Sequence, residues 1–376
     1  MRLLHTADWH LGFSLREHAF LDEQAHLLLE QFVPMVRDAR PDAVLLAGDV
    51  FHRAIAPVEA LALFDEIAGR IVGALGVPMV VIAGNHDSPE RLAAHARLLA
   101  GSGLYVVGGA LSDPILLHDA HGAVAICPTA YAGPARAGEA LGDPGVATHD
   151  AAMAAICARL AAAVPTGARS VLVGHAFVAG GTVGEVEREL MVGGSGQVAA
   201  RHFAPFAYVA LGHLHRPQDI TPTIAYAGAP MPYAFDEAGQ AKSARLVEIA
   251  ADGSVRTELL PFSPRRPMRI LRGDFATLLA APADAADADW LKVELTDAQP
   301  VLSPAARLRE RYPNLVELAV LAHRAVPSAA VPLPRDETAT PLGLFKAFYA
   351  HVHGTPPQPG HEAAAALAIT AAQDSA

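Results

Sequence analysis

Short apolar runs alternate with stretches of helical spacing through the first part of the chain. Arg2 to Thr6 reads as a strand, Leu21 to Arg40 as a helix that stops before Pro41, and Ala43 to Ala47 as a strand. Val58 to Leu75 is helical, Pro78 to Ala83 is a strand, and Pro89 to Leu99 is helical again. Apolar residues every three or four positions set one helix face on a core. Unbroken runs such as Val44-Leu45-Leu46 suit strands covered on both faces. The alternation predicts an α/β fold with a parallel or mixed sheet and helices on its faces.

From Tyr105 to Tyr131 the pattern shortens to strands split by Gly, Pro and Asp, including Pro114 to His118 and Ala123 to Cys127. Gly133 to Gly145 reads as a loop and Ala151 to Ala163 as a helix. Ser170 to Val173 and Tyr208 to Leu211 are strands, and hairpin-like strands run from Thr223 to Leu260. Together these predict two packed sheets with helices outside. Prolines and Arg265-Arg266 interrupt the pattern between Pro261 and Pro267. Beyond them Met268 to Leu271, Asp274 to Leu279, Trp290 to Leu295, Pro304 to Arg311 and Leu315 to Val320 make a small α+β unit. Val326 to Pro334 is proline-rich and linker-like. Two short helices, Pro341 to Val352 and His361 to Ala372, follow. The expected domains are residues 1–262, 267–325, a linker at 326–340 and a helical tail at 341–376.

Composition narrows the function. The apolar fraction of 52% in 376 residues supports a buried core and excludes a disordered chain. A net charge of −11 removes any bulk basic field for nucleic acid, so DNA would have to be held by a local patch, a metal centre or a partner. Cys127 and Cys157 cannot build a disulfide framework, and they read as inert core thiols of a cytoplasmic protein. Met1 to His5 lacks the apolar stretch of a signal peptide, and no apolar run reaches membrane-spanning length.

The chemistry sits at strand ends. Asp8-Trp9-His10, Gly48-Asp49, Gly84-Asn85-His86-Asp87, Gly174-His175 and Gly212-His213-Leu214-His215 each close an apolar run. Ligands collect at the carboxyl ends of strands in α/β sheets. Imidazole, carboxylate and one amide oxygen suit Mn²⁺, Zn²⁺ or Fe²⁺, and the lack of thiolate argues against a zinc finger. Asp-x-His and His-x-His put alternate side chains of an extended segment on one face, where both reach one cavity. Any one of these motifs alone would be an ordinary turn or helix cap. All five in order are not.

On these motifs the chain resembles the calcineurin-like metallophosphoesterases. Met1 to Gly12 (MRLLHTADWHLG), Ala47 to Phe51 (AGDVF), Ala83 to Ser88 (AGNHDS), Ala210 to His215 (ALGHLH) and Phe235-Asp236-Glu237 are similar to a branch of bacterial nuclease subunits. The resemblance spans almost the whole chain and implies a two-sheet metallophosphoesterase sandwich with a capping domain. It implies two divalent ions, Mn²⁺ foremost. Asp8, His10, Asp49 and His215 would hold one. Asp49, Asn85, His175 and His213 would hold the other, with Asp49 bridging. It implies that His86 contacts phosphate and protonates the leaving oxygen. His52 stands where phosphatases of the superfamily carry an aspartate, and related nucleases suggest that it touches the phosphate or sugar. Arg53 would pair with phosphate or with a surface acid. Asp87 reads as a helix cap or a supporting carboxylate.

The resemblance further implies DNA as substrate, an SMC-type ATPase as partner in a heterotetramer-like complex, and a homodimer. Arg265, Arg266, Arg269, Arg272, Arg307, Arg309 and Arg311 would form a phosphate-tracking patch or a solvated face. Leu342, Phe345, Phe348, Tyr349 and Val352 recur at helical spacing as an apolar stripe for the ATPase coiled coil or for the chain's own core. Two other functions stay open on sequence: a stand-alone phosphatase or phosphodiesterase of the same fold, and a recruiting scaffold with little activity.

Overall fold

The computed structural model describes residues 1–184, 196–282, 284–321 and 340–374. Among them two six-stranded sheets carry the sandwich. Numbered in chain order, their strands are β1 (Arg2–Thr6), β2 (Ala43–Leu46), β3 (Met79–Ile82), β4 (Leu104–Val107), β5 (Ile115–Asp119) and β6 (Gly122–Thr129). There follow β7 (Arg169–His175), β8 (Tyr208–Gly212), β9 (Gln218–Thr221), β10 (Ile224–Tyr226), β11 (Ser243–Ile249) and β12 (Val255–Pro261). One sheet runs β12-β11-β1-β2-β3-β4, the other β9-β10-β8-β7-β6-β5. β1 to β4 pair in parallel, as do β6 to β7, β7 to β8 and β8 to β10. β1 pairs antiparallel with β11, and the antiparallel strands β12, β5 and β9 close three of the four edges.

The apolar runs explain this architecture. Alternate residues of each strand point to opposite faces. Leu3, Leu45, Val80, Ile126, Val171, Val173 and Val247 fill the layer between the sheets. Leu4, Val44, Leu46 and Val81 face outward onto Leu27, Phe32, Leu63 and Ile67 of the covering helices. Cys127, Leu172, Val209 and Leu211 do the same for Met153, Ile156 and Leu160. Each fully buried Val or Leu contributes roughly 1.5–3 kcal/mol over exposure. One polar side chain, His5, lies fully buried among them. Its Nδ1 meets the Tyr208 hydroxyl at 3.0 Å and its Nε2 the Leu211 carbonyl at 3.1 Å, so it fixes β1 against β8 of the opposite sheet. Burial, with Arg245 nearby, pushes its pKa down to about 3 and keeps the ring neutral.

Two expectations need correction. Gly133 to Gly145 is not all loop, because Pro134–Leu141 is a helix. Its proline sits in the first turn and Gly142 ends it in the left-handed region at φ 69, so residues that read as loop punctuation are caps. Pro89 to Leu99 splits into Pro89–Leu92 and Ala96–Leu99. The turn tightens at Ala94, whose N–H bonds to the Arg91 carbonyl three residues back. The Leu21-to-Arg40 helix is present, with a π-type turn at Leu28–Phe32 and Arg40 in the left-handed region before Pro41.

The chain divides into two compact units. The first comprises residues 1–271, 281–293 and 303–318. The second comprises 272–280, 294–302 and 319–376. The later strands fall where expected, at Met268–Gly273, Trp290–Leu295 and Leu315–Val320. Most of the 326–340 linker lies outside the described residues. In the second unit Pro341–His353 and Pro359–Asp374 form helices joined by a Lys346–Glu362 ion pair of 2.6 Å and by Tyr349 against His361. No helix among the described residues is long and apolar enough to cross a membrane.

At one edge of the sandwich Asp119 accepts a hydrogen bond from buried Arg169 at 2.6 Å. That guanidinium holds the carboxyl well below the usual carboxylate range. A folded pKa below the unfolded one adds stability above the unfolded value, and this is lost as pH falls through the folded one. Asp119→Asn should therefore lower the melting temperature by roughly 2–6 °C near neutral pH. The deficit should persist down to about pH 4 and shrink below it. A deficit that is equal at pH 7 and pH 3 would assign the loss to packing, not to the pairs this carboxylate makes with Arg169 and the N-terminal ammonium.

Candidate metal centre

All five strand-end motifs meet at one place. β1, β2 and β3 deliver Asp8 and His10, Asp49, and Asn85 and His86 from one sheet. β7 and β8 deliver His175, and His213 and His215, from the other. The backbone is bent to do so. Asp8, His10, Asp49 and His213 have φ of 53°, 44°, 50° and 103°, a region that side-chain-bearing residues rarely enter. Four candidate ligands in that region mark a site whose surroundings enforce its shape. Gly48 is needed twice over. Its φ is 88°, and a Cβ there would strike the His175 ring.

Asp49 stands in the middle. Its Oδ2 lies 3.6 Å from His10 Nε2 and 3.5 Å from His175 Nε2, while Oδ1 accepts the His86 N–H at 2.8 Å. On one side His10 Nε2 meets His215 Nε2 at 3.2 Å. On the other, Asn85 Oδ1 lies 2.9 Å from His175 Nε2 and 3.0 Å from His213 Nδ1. Asp8 Oδ1 accepts the His213 N–H at 2.9 Å and sits 3.9 Å from His175 Nδ1. Ligand-capable atoms of Asp8, Asp49 and His175 fall within 4.8 Å of one another, as do those of His10, His52 and His86.

The donor set fits cations. Asp8 Oδ2 is buried without a hydrogen-bond partner. Such an atom is costly to bury unless something else satisfies it. His175 Nδ1 donates to the Ala47 carbonyl at 2.8 Å, so a neutral His175 turns a lone pair at Nε2 toward the oxygen of Asn85. Two lone pairs that close repel unless positive charge lies beside them. Ligands held about 2.0–2.2 Å from an ion sit roughly 3 Å apart, which is the spacing here. Burial, followed by the neighbouring histidines, pushes His10 well below its ordinary pKa. Burial and His175 push His213 to about 3. Burial raises Asp8 to about 6, against the pull of His175 and His215. His10 and His213 are therefore held in the neutral form, the form that binds metal.

A family model described as calcineurin-like phosphoesterase matches residues 1–124. A second, SbcD_C, described as a type 5 capsule protein repressor C-terminal domain, matches residues 264–353. The SbcD subunit of the SbcCD nuclease of Bacillus subtilis (strain 168) is 34% identical over 335 residues, 85% of each chain. The chain belongs to the SbcD family. Solved structures that align with it include TT1561 of Thermus thermophilus, with a TM-score of 0.39 and 14% identity over 69% of this chain and 98% of that one. A dimetal phosphatase from Danio rerio aligns with a TM-score of 0.38 and 13% identity over 70% and 99%.

In this SbcD-family chain Asp87 takes one of its two expected roles, while Gln24, Glu237 and Lys242 support the site without having been assigned a role from the motifs. Asp87 accepts backbone N–H bonds from Val50, Phe51 and Gly84 at 2.9–3.0 Å and ties the Asp49 loop to the Asn85 loop. It is a supporting carboxylate, and Ser88 is the helix cap. Gln24 donates to the carbonyls of Trp9 and His10 at 2.9 and 2.8 Å and accepts from Gly12, clamping the first motif. His215 Nδ1 meets Glu237 at 2.9 Å, and Lys242 reaches both Glu237, at 2.5 Å, and the His215 carbonyl, at 2.9 Å. All three are buried. Burial alone would raise Glu237, but His215 and Lys242 hold it at about 2. An ionised Glu237 fixes the proton on His215 Nδ1 and leaves Nε2 facing His10, the arrangement that orients metal-binding histidines.

Glu237→Gln should weaken metal binding about 10–100-fold and also lower stability, since it strands the buried Lys242. Glu237→Gln with Lys242→Met should recover stability without recovering affinity. Metal titration beside thermal melts reads both. Full affinity in the double variant would remove the positioning role.

The remaining candidates separate. His86 Nδ1 bonds to the His52 carbonyl at 3.0 Å, its ring stacks on His52, and it lies 4.7 Å from the His10 ring. Burial, with His86 and Arg53 beside it, lowers His52 to about 4. Arg53 is exposed. The expected arginine patch is largely committed elsewhere. Arg265 and Arg266 pair with Glu23, Arg269 with Asp289, and Arg311 with Asp287. In the tail Tyr349 turns onto His353 and His361, while Phe348 is 55% exposed.

Proposed function

We propose that this chain is a nuclease subunit that hydrolyses DNA phosphodiester bonds with two divalent ions, Mn²⁺ foremost, in concert with an SbcC-like ATPase of the SMC type. The observation that carries the reading is Asp49 Oδ2, nearly equidistant from the His10 and His175 nitrogens of two facing ligand groups. Asp8, His10, Asp49 and His215 would hold one ion, and Asp49, Asn85, His175 and His213 the other. Bound divalent ions supply positive charge to the phosphate and lower the pKa of water. The protein's own part is positional. His175 is locked by its bond to Ala47, His215 by Glu237, and the Asn85 loop by Asp87. His86, held at Nδ1, presents Nε2 to the leaving oxygen, and His52 flanks it on the substrate side. The exposed Phe348 and the tail that carries it would bind the ATPase.

Purified protein should degrade linear DNA with Mn²⁺ and stop on chelation. Removing residues 341–376 should leave that cleavage and the metal content intact but abolish co-purification with the ATPase. Metal-replete protein that leaves DNA intact while hydrolysing small phosphate esters would replace this reading with a stand-alone phosphoesterase. Unchanged ATPase binding after truncation would move the contact elsewhere.

A further inference from the structure

A cavity of about 200 Å³ opens directly beside Asn85, His175 and His213. Met153 and Ile156 of the His149–Ala162 helix, with Phe177 and Val198, give it apolar walls. Tyr131 and His149 supply its polar side, with the tyrosine hydroxyl 3.4 Å from His149 Nε2. The Tyr131 ring stands edge-on to the His175 ring, so the candidate ligand is itself part of the wall. No Asp, Glu, Lys or Arg lines the cavity among the described residues.

We infer that this cavity receives the nucleobase of the nucleotide flanking the scissile phosphate. The inference rests on the phosphodiesterase reading above and adds a base subsite to it. A phosphate at the metal centre leaves only its sugar and base to be placed nearby. Apart from the candidate metal ligands, the described wall carries no charged side chain to hold a second phosphate, and it suits a neutral group. A flat ring with a hydrogen-bonding edge matches apolar walls that carry a hydroxyl and an imidazole on one side. The space is smaller than the 300–1,000 Å³ or so of drug-sized sites and suits one ring system. Entry requires the base to leave its stack, which is easiest at frayed ends, mispairs and single strands.

The test uses the full chain loaded with Mn²⁺ and single-stranded oligonucleotides in which an abasic residue is stepped through the positions flanking the cleaved bond. One position should show kcat/KM lowered roughly ten-fold or more, the scale of a lost base contact. Ala152 of the His149–Ala162 helix also lines the cavity, and Ala152→Trp, which crowds it, should bring the base-bearing oligonucleotide down to the abasic value with metal content unchanged. The wild-type comparison stands even where that variant fails to fold. Equal cleavage with and without a base at every position overturns the subsite alone. Metal-loaded protein that cleaves no DNA overturns the phosphodiesterase reading and the subsite with it.

Discussion

Asp49→Ala should strip both metal ions from the protein and take DNA cleavage below detection. No other candidate ligand lies between the two groups as Asp49 does, with Oδ2 at 3.6 Å from His10 Nε2 and 3.5 Å from His175 Nε2. Its other oxygen anchors the His86 backbone, so the loop that carries Asn85 loosens at the same time. The variant should still fold. Asp49 is a buried carboxylate set against two more, and burial, with the Asp49 charge adding to it, raises both Asp8 and Asp87. Removing one of three like charges relieves repulsion in the metal-free state. That relief offsets the bond lost at the His86 N–H, so the metal-free variant should melt close to metal-free wild type. Wild type should gain thermal stability with added Mn²⁺, because a ligand that binds only the folded state shifts the equilibrium. The variant should gain none. Two tightly held ions in the variant, by elemental analysis, would break the bridging assignment.

The strand ends were legible because two local signals coincide there. An unbroken apolar run announces a buried strand, and a polar residue beside glycine announces a sharp turn at its end. Gly48 shows why the two travel together, since neither its φ nor its distance from His175 admits a side chain. What could not be read depends on partners far away in the chain. His5 is fixed by Tyr208 and Leu211, and His215 by Glu237 and Lys242. Nothing within a strand's length of His5 distinguishes it from a ligand. Glu237 stood in a motif without a role. Its partner Lys242 is a lysine in an exposed-looking stretch, and only its burial reveals a charge held against another. The arginines beyond Pro261 left a patch and a solvated face both open for the opposite reason. Like charges spaced along a chain suggest a patch, but Glu23, Asp287 and Asp289 had already claimed four of them.

His86→Asn should keep both ions and lower kcat on DNA by about 10²-fold or more. The side chain of His86 is held by the His52 carbonyl at Nδ1, and its backbone N–H is already used on Asp49. Nε2 is the atom left to meet substrate. An alkoxide leaving from a DNA sugar is strongly basic, and its departure is slow unless a proton arrives with it. Asparagine fills much of the same space and can donate a hydrogen bond, but it cannot give up a proton. The loss should therefore depend on the leaving group. A p-nitrophenyl ester of a nucleotide leaves without protonation, so on that substrate the variant should approach wild-type rates. This contrast separates proton donation from metal binding, which the geometry makes a real alternative because ligand-capable atoms of His10, His52 and His86 lie within 4.8 Å of one another. If His86 were a ligand, the variant would lose metal and both substrates would suffer alike. If His86 only positioned the phosphate, metal would stay and both would again suffer alike. Only a donor predicts full metal content with a defect confined to the poor leaving group.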